Sequence, residues 1–537
     1  MLTAPNGSAQ QLLYRDSLRS ASTQEQMLKI CALHGTGTAL GDPVEAGSLS
    51  AVFLKSAREV CTISGIKANT GHTGAAGGLV ALLILSMNLM QRKVHPHAQL
   101  RQMSAHVCST LRGTLSGVPV SVAPIDVKLR ESIVGGVSSF GWSGTLAHGV
   151  LAGKRGNAKV PLTLAFRRKV FAFGPAVSRL VTLHTGQDQH EQQVTNHVGS
   201  ALHPSGVESV DGVVRLVNEL TAGEDRQIDA DTPLMEAGVE SLVATEFASR
   251  LQSMTSLKPS STIVFEQPTP RAIAAWILEH RRSPGAAEVS VASIEKYACT
   301  ALDGVTLRLA GKLSSRWPGD CDGGLTLFQM GAACGNAVGE VPSARWTMPE
   351  VCDETVLASI QATCVRHGGF VARVQLFDVA SFSLSPAEAK AMDPQQRLLL
   401  EHGYAASHSA SYRRSTLLDA NNAVLVAVER PDWSNVQPPL ARQSIYAVTG
   451  DNVSVASGRL SFVLGLQGPC SSIDTACSSS LSALHWGCYA VKHGESDGAL
   501  VLAASLKLQP HGTLGASSAG MLSIDGRCKT LDAGANG

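Results

Sequence analysis

Cys477 stands in the run Asp474-Thr475-Ala476-Cys477-Ser478-Ser479-Ser480, where a thiol among small polar residues is suited to nucleophilic chemistry. Behind it Leu481, Leu484, Cys488 and Val491 recur at helical spacing as far as Gly494, which predicts a helix with the cysteine at its N-terminus. Unpaired N–H groups and the macrodipole there favour a thiolate, by about 0.3–1 kcal/mol at an exposed position and more when partly buried. The small serines leave space for a substrate, and Gly465, Gly468 and Pro469 punctuate the strand-like run before them. Such a nucleophile needs groups that move protons or polarise a carbonyl, and no residue after Cys477 supplies them convincingly. Taken alone, a single cysteine is more often a buried structural one.

The candidates for those groups lie far upstream. Met27 to Leu33 reads as a strand that delivers His34-Gly35-Thr36-Gly37-Thr38 into a glycine-rich turn, followed by Gly41-Asp42-Pro43-Val44-Glu45-Ala46. Val60 to Ile66 reads as a second strand, delivering Lys67-Ala68-Asn69-Thr70-Gly71-His72 ahead of a helix over Ala75 to Met90. Strand ends that face helix starts are where open α/β sheets place their chemistry. The glycines do not form a nucleotide loop: the stretch from Gly35 to Gly41 is one residue too long for GxGxxG, and no Gly-Lys-Ser/Thr follows. His95 and His97 lie nearby, but without an HExxH or a cysteine cluster no metal site is expected.

Composition narrows the class. A length of 537 residues with 44% apolar content suits roughly three or four domain lengths with real cores. The formal charge of +1, without a basic run interleaved with aromatics, argues against nucleic acid and for small molecules or proteins as partners. Twelve cysteines without a CxxC pair disfavour structural zinc and a disulfide framework, so a reducing, cytoplasmic setting is expected, a plastid being compatible with it. The start Met1-Leu2-Thr3-Ala4-Pro5-Asn6-Gly7 has no signal-peptide pattern, and the apolar run Leu79 to Met90 is too short for a membrane span, so no membrane anchor is expected.

With its flanks, from Gly458-Arg459-Leu460-Ser461 to Gly526-Arg527-Cys528-Lys529-Thr530, the cysteine run resembles the nucleophile region of the β-ketoacyl synthases of modular polyketide synthases. The motifs around His34, Lys67 and His72 resemble the C-terminal half of the same enzymes. The resemblance implies that Cys477 takes an acyl chain as a thioester and that His34 and His72 promote loss of carbon dioxide from a malonyl-type extender. It further implies electrostatic support from Lys67, contacts of Thr36 and Thr38 with a pantetheine arm, and a role for the Ser139-Phe140-Gly141 backbone at the thioester oxyanion. Three departures bear on ion-pair support and rigidity: Ala32 and Gly74 stand where glutamates are common, and Leu146 where an asparagine is usual.

Residues 205–282 read as a small helical unit. Val210, Val213, Val214 and Val217 trace one face; Leu242 or Val243, Phe247 and Leu251 trace another; Thr269-Pro270 caps a last helix with Ile273 and Ile277 inward. Gly238-Val239-Glu240-Ser241-Leu242 resembles the attachment motif of acyl carrier proteins, with glutamate for the usual aspartate. The resemblance implies 4'-phosphopantetheine on Ser241, loaded by a phosphopantetheinyl transferase using coenzyme A and magnesium; Ser241 also reads as a plain N-cap. Leu309-Ala310-Gly311, Gly339-Glu340-Val341-Pro342-Ser343-Ala344-Arg345-Trp346 and Ala391-Met392-Asp393-Pro394-Gln395-Gln396-Arg397 resemble the opening of a ketosynthase, the last reading otherwise as a solvated helix start.

The implied order is therefore a ketosynthase C-terminal half over 1–154, a linker over 155–204, part of it packed on that half, a carrier over 205–282, a linker over 283–304 and a ketosynthase N-terminal half over 305–537. The expected fold class is α/β thiolase-like halves flanking an all-α four-helix carrier bundle. The expected activity is decarboxylative Claisen condensation on acyl and malonyl-type thioesters, with the acyltransferase supplied from elsewhere and a homodimer formed through complete ketosynthases. A carrier with inactive synthase halves and a fatty-acid-type condensing protein are the alternatives. Two arrangements are open: halves that serve two successive synthases of a longer chain, or halves that pack against each other as one permuted synthase.

Overall fold

The computed structural model describes residues 5–24, 27–55, 57, 59–125, 132–153, 166–171, 209–220, parts of 228–281, 307, 309, 314–346 and 363–536. Near the N-terminus, helix α1 (Gly7–Ser20) begins at Asn6, whose side chain accepts the Ala9 N–H. Strand β1 (Leu28–Ala32) then runs parallel to β2 (Cys61–Ser64), with Ile30 opposite Thr62 and Cys31 opposite Ile63. With β3 (Ser116–Gly117), β4 (Ile133–Phe140) and β5 (Leu146–Gly153) they form a sheet ordered β3-β2-β1-β4-β5, in which β5 alone is antiparallel to its neighbour. Every residue of β4 is buried, as a strand covered on both faces requires. Tyr14 of α1 and Leu49 of α2 (Gly41–Leu49) cover one face. The short α3 (Lys67–Thr70) follows β2, and Leu82, Leu85 and Leu89 of α4 (Gly77–Gln91) pack on Ile30, Ala32 and Val137 from the other face. The stretch Gly74–Gln91 is long and apolar enough to cross a membrane, but most of it is buried in this core.

A second sheet comes from the other end of the chain. Helix α5 (Pro394–Ser409) and helix α6 (Val453–Leu464) supply Leu399, Leu400, Leu460 and Leu464 to one face of β6 (Asn422–Val428). β6 lies between β7 (Cys470–Ile473) and β8 (Gly498–Ala504), all three parallel. On the opposite face Ala483 and Ala490 of α7 (Ser479–Lys492) meet Ala423, Leu425 and Ala427.

The two sheets share a middle layer. Leu481 and Leu484 of α7 enter the same core as Ala81, Leu82 and Leu85 of α4, so helices alternate with sheets in five layers. Gly78 permits the approach: a Cβ there would lie 2.6 Å from Leu481 Cγ and 2.9 Å from Ser480 Oγ. The structure thus has the N- and C-terminal segments packed as one body, the layered arrangement expected of a thiolase-like fold.

Of the linker, residues 166–171 are described, and they pack on the C-terminal segment. Lys169–Val170 pair antiparallel with Leu376–Phe377, and Arg168 Nε bonds Glu401 Oε2 at 2.9 Å. The start of α5 is buried, so the alternative reading of a solvated helix start falls away. Asp393 is buried and accepts the Gln395 N–H, while the buried Arg397 guanidinium lies over the Phe171 and Trp433 rings at 5.5 and 5.7 Å. Cation–π contact takes over there from the water that an exposed arginine would have.

The carrier unit has its own core. Val213, Leu216 and Val217 of the helix Val210–Leu220 meet Ile273, Ala274 and Ile277 of the helix Pro270–Arg281, with Leu234, Val239, Phe247, Leu251 and Ile263 between them. The Thr269 hydroxyl caps the last helix by accepting the Ala272 N–H at 3.2 Å. Glu240, Ser241, Leu242 and Val243 lie outside the described residues.

Candidate active site

The cysteine sits on a tight elbow between β7 and α7. Ala476 has φ 55, a left-handed conformation that costs a residue with a Cβ about 1 kcal/mol. The elbow is braced by its own neighbours: Thr475 N–H donates to Ser479 Oγ at 2.8 Å, Ser478 Oγ to the Thr475 carbonyl at 2.9 Å and Ser479 Oγ to the Ala476 carbonyl at 2.6 Å. Ser478, Ser479 and Ser480 are fully buried, so they hold the turn and do not line a substrate path.

Two hydroxyls couple this elbow to the N-terminal segment. Ser139 Oγ donates to the Cys477 carbonyl at 2.6 Å, and Ser480 Oγ accepts the Leu79 N–H at 3.1 Å. The thiol differs from the expected thiolate. Cys477 is half-buried and burial pushes its thiol up; Lys67 opposes, Glu429 adds to the rise, and the N–H groups of Cys477 and Trp142 pull it down without prevailing. Desolvation of the sulfur outweighs the helix N-terminus here.

His34 lies just beyond the C-terminal end of β1, and a buried carboxylate fixes its backbone. Glu45 accepts the His34 N–H at 2.8 Å and the Gly35 N–H at 2.9 Å, one oxygen each. Burial, with partial relief from those two bonds, raises Glu45 to about 7. Asp42 ties the same loop to the C-terminal segment, accepting from Gly37 N–H at 3.1 Å and Leu531 N–H at 2.7 Å. The buried Lys67 ammonium donates to the His34 carbonyl; burial lowers it, and Cys528, Cys477, Glu45 and Asp42 resist that. Thr38 Oγ1 accepts the Gly41 N–H at 3.0 Å and lies 3.4 Å from Thr36 Oγ1, so the threonines shape this turn.

The imidazoles of His34 and His72 face each other edge to face, centroids 6.0 Å apart. Phe140 N–H donates to His34 Nδ1 at 3.2 Å and Gly74 N–H to His72 Nδ1 at 3.0 Å. Each Nδ1 is therefore an acceptor, which leaves the hydrogen of a neutral ring on Nε2. Burial, then Lys67 and then His72, hold His34 well below its ordinary value, and His72, with one exposed edge, is shifted the same way by burial and Lys67. Both rings are neutral at pH 7.

Of the residues singled out in the sequence, Cys477, His34, His72, Lys67, Thr36, Thr38 and Phe140 fall in this one body, and Ser241 lies outside the described residues. The Phe140 N–H is given to His34 Nδ1, and the N–H groups that act on the Cys477 sulfur are those of Cys477 and Trp142. The Ser139 hydroxyl, Glu45 and Glu429 were not foreseen as contributors. The signal for Glu45 was present in Gly41-Asp42-Pro43-Val44-Glu45, directly after the His34 turn.

Known proteins match three stretches of this chain. The family model "Beta-ketoacyl synthase, C-terminal domain" matches residues 1–101, "Phosphopantetheine attachment site" matches 211–277 and "Beta-ketoacyl synthase, N-terminal domain" matches 314–537. Similar curated proteins include polyketide synthase GfsA of Streptomyces halstedii, 34% identical over 58% of this chain and 4% of that protein. Erythronolide synthase EryA3 of Saccharopolyspora erythraea is 31% identical over 59% of this chain and 10% of its own length. Spectinabilin polyketide synthase system protein NorC of Streptomyces orinoci is 33% identical over 60% and 14%. The chain thus spans a small part of each relative. Among solved structures, the ketosynthase from module 6 of the bacillaene synthase from Bacillus subtilis 168 is 32% identical, covering 42% of this chain and 37% of that one with a TM-score of 0.36. Synthase models on both sides of a phosphopantetheine attachment domain place this chain in the β-ketoacyl synthase family as it occurs in modular polyketide synthases.

Proposed function

We propose that the chain condenses acyl groups by decarboxylative Claisen chemistry, with Cys477 as nucleophile and His34 and His72 as paired hydrogen-bond donors. One observation carries the reading: two neutral imidazoles, each with Nδ1 occupied by a backbone N–H, leave two Nε2–H donors within one small site in the body that holds Cys477. In the first step the Cys477 sulfur attacks the carbonyl of an acyl thioester; the new S–C bond forms and the donor thiol leaves. In the second, a malonyl-type thioester loses carbon dioxide, and the electron pair of the broken C–C bond moves toward the thioester oxygen. Nε2–H groups of His34 and His72 stabilise the charge developing on that oxygen; one such donor is typically worth about 2.7–4 kcal/mol. The carbanion carbon then attacks the Cys477 thioester, the C–C bond forms and the thiolate is released.

Neutral donors fit this chemistry because neither has to lose a proton. Burial first, and then the charge of Lys67, keep both histidines neutral. The carrier supplies the thioester on 4'-phosphopantetheine, with Ser241 as the attachment residue in this reading, and so raises the local concentration of the acyl group. An acyltransferase, a phosphopantetheinyl transferase and a second copy of the synthase are the partners it calls for. A reducing compartment such as the cytoplasm suits the adjacent free thiols of Cys31 and Cys61, 3.6 Å apart.

Intact-mass analysis tests the reading. After incubation with an acyl thioester the full chain gains one acyl group, which Cys477→Ala abolishes; after incubation with a phosphopantetheinyl transferase and coenzyme A it gains an arm, which Ser241→Ala abolishes. An arm without any acyl adduct on Cys477 would reduce the chain to a carrier.

A further inference from the structure

Beside His72 the N-terminal segment makes a tight turn. Gly74 has φ 52 and gives its N–H to His72 Nδ1, so this turn sets both the tautomer and the direction of the ring. The turn is covered from the other segment. A Cβ on Gly74 would stand 2.3 Å from Glu429 Oε2 and 2.6 Å from Ser505 Oγ. Glu429 follows the last residue of β6 and Ser505 the last residue of β8, so neighbouring parallel strands deliver both to one end of the second sheet. Glu429 Oε2 accepts from Ser505 Oγ at 2.9 Å and Oε1 pairs with Lys507 Nζ at 2.5 Å. Burial would raise this carboxyl, but Lys507 and the two hydrogen bonds outweigh it, and Glu429 is held ionised. The charges that act on His72 are Lys67 and Lys507, which disfavour its imidazolium, and Glu429, which favours it.

We propose that Glu429 is a positioning residue for His72: its carboxylate, clamped by Ser505 and Lys507, caps the Thr73–Gly74 turn and keeps His72 Nε2–H aimed at the site it shares with His34. The cap comes from the segment that carries Cys477, so His72 is set in place only when the two segments close on each other. A side chain at position 74 and the Glu429 carboxylate compete for one space, which makes the arrangement exclusive. The inference rests on the two histidines acting as the decarboxylation donors.

Its test uses the full chain as wild type, Glu429→Ala, Glu429→Gln, Gly74→Glu and the double variant Gly74→Glu/Glu429→Ala, with malonyl- and acetyl-N-acetylcysteamine thioesters as probes. Glu429→Ala is expected to cut carbon dioxide release at least tenfold while acetylation of Cys477 holds or accelerates, because the lost negative charge eases thiolate formation. Gly74→Glu alone is expected to fail through its clash, and the double variant to recover to within threefold of wild type. Parallel loss of both rates in Glu429→Ala, or a double variant no better than Glu429→Ala, would overturn the proposal. A readout independent of turnover is the titration of the His72 ring by NMR of histidine-labelled chain: its midpoint falls in Glu429→Gln, and an unchanged midpoint overturns the contact. If wild type neither takes up acetyl groups nor releases carbon dioxide, the functional reading fails, and the titration still decides between Glu429 and an unrelated cause of the His72 geometry.

Discussion

Replacing Glu45 by glutamine should make the stability difference between variant and wild type depend on pH. Glu45 is buried and each of its oxygens accepts one backbone N–H, from His34 and from Gly35. Burial lifts it from an ordinary 4.5 to about 7. A carboxyl raised in the folded state contributes stability that is full below pH 4.5 and is lost as pH rises through 7. At about 1.4 kcal/mol per pH unit that loss amounts to about 3 kcal/mol in wild type by pH 8. Glutamine cannot ionise, so the variant escapes this loss. Its cost is different and constant: one oxygen serves where two served, and one buried N–H is left facing an amide N–H, at about 1–3 kcal/mol. The variant should therefore be weaker than wild type by up to about 2 kcal/mol at pH 5, and equal to it or up to about 2 kcal/mol more stable at pH 8. Urea unfolding at four pH values, followed by hydrogen exchange of peptides from residues 28–49, reads this unit apart from the carrier. A gap that stays constant or widens toward pH 8 would refute the reasoning, since it would mean that Glu45 ionises as an exposed carboxyl does.

Other perturbations separate the parts of the site. His34→Ala or His72→Ala should lower carbon dioxide release from a malonyl thioester by about 100- to 1000-fold, the loss of one preorganised donor, while Cys477 remains acylable; a loss below tenfold would remove the histidine from the chemistry. Alkylation of Cys477 by iodoacetamide should keep accelerating past pH 9, because burial raises the thiol; a plateau by pH 7 would contradict that. On the acid side, decarboxylation of a malonyl thioester should hold between pH 6 and 8, because both histidines are already neutral there, and fall only as pH drops toward the lowered histidine values. Gly78→Val should force α4 from α7 at a cost of about 1–3 kcal/mol and reduce acylation and decarboxylation together; an unchanged melting temperature would argue against the shared middle layer.

Local chemistry was readable in the sequence because each functional side chain sits on a short punctuated motif. His34 follows an apolar strand and precedes glycines, His72 precedes a helix, and Cys477 precedes another; β1, β2, α4 and α7 lie where periodicity put them, to within about two residues. What periodicity does not carry is which distant segment covers which face. Nothing around Gly74 names Glu429, and nothing around Ser139 names the Cys477 carbonyl, because both contacts cross between segments far apart in sequence. The state of the Cys477 thiol was missed for the same reason: a helix N-terminus is visible locally, whereas the burial that outweighs it and the Glu429 charge that adds to it come from segments distant in sequence, the Ser139 hydroxyl on the Cys477 carbonyl among their contacts.

The raised thiol and the lowered histidines are two consequences of one closure. Closure of the N- and C-terminal segments leaves Cys477, His34 and Lys67 in one desolvated body, and desolvation acts on each in the sense that favours its neutral form. For His34 and His72 neutrality is what a hydrogen-bond donor needs. For Cys477 it is a cost, which Lys67 and the Cys477 and Trp142 N–H groups offset in part. A variant that admits water without breaking the fold should thus move the two activities in opposite directions, speeding acylation of Cys477 and slowing decarboxylation. Gly78→Ala, a smaller intrusion than valine between the same two helices, is the mildest such wedge. Equal changes in both rates would mean that geometry, and not the dryness of the site, sets them.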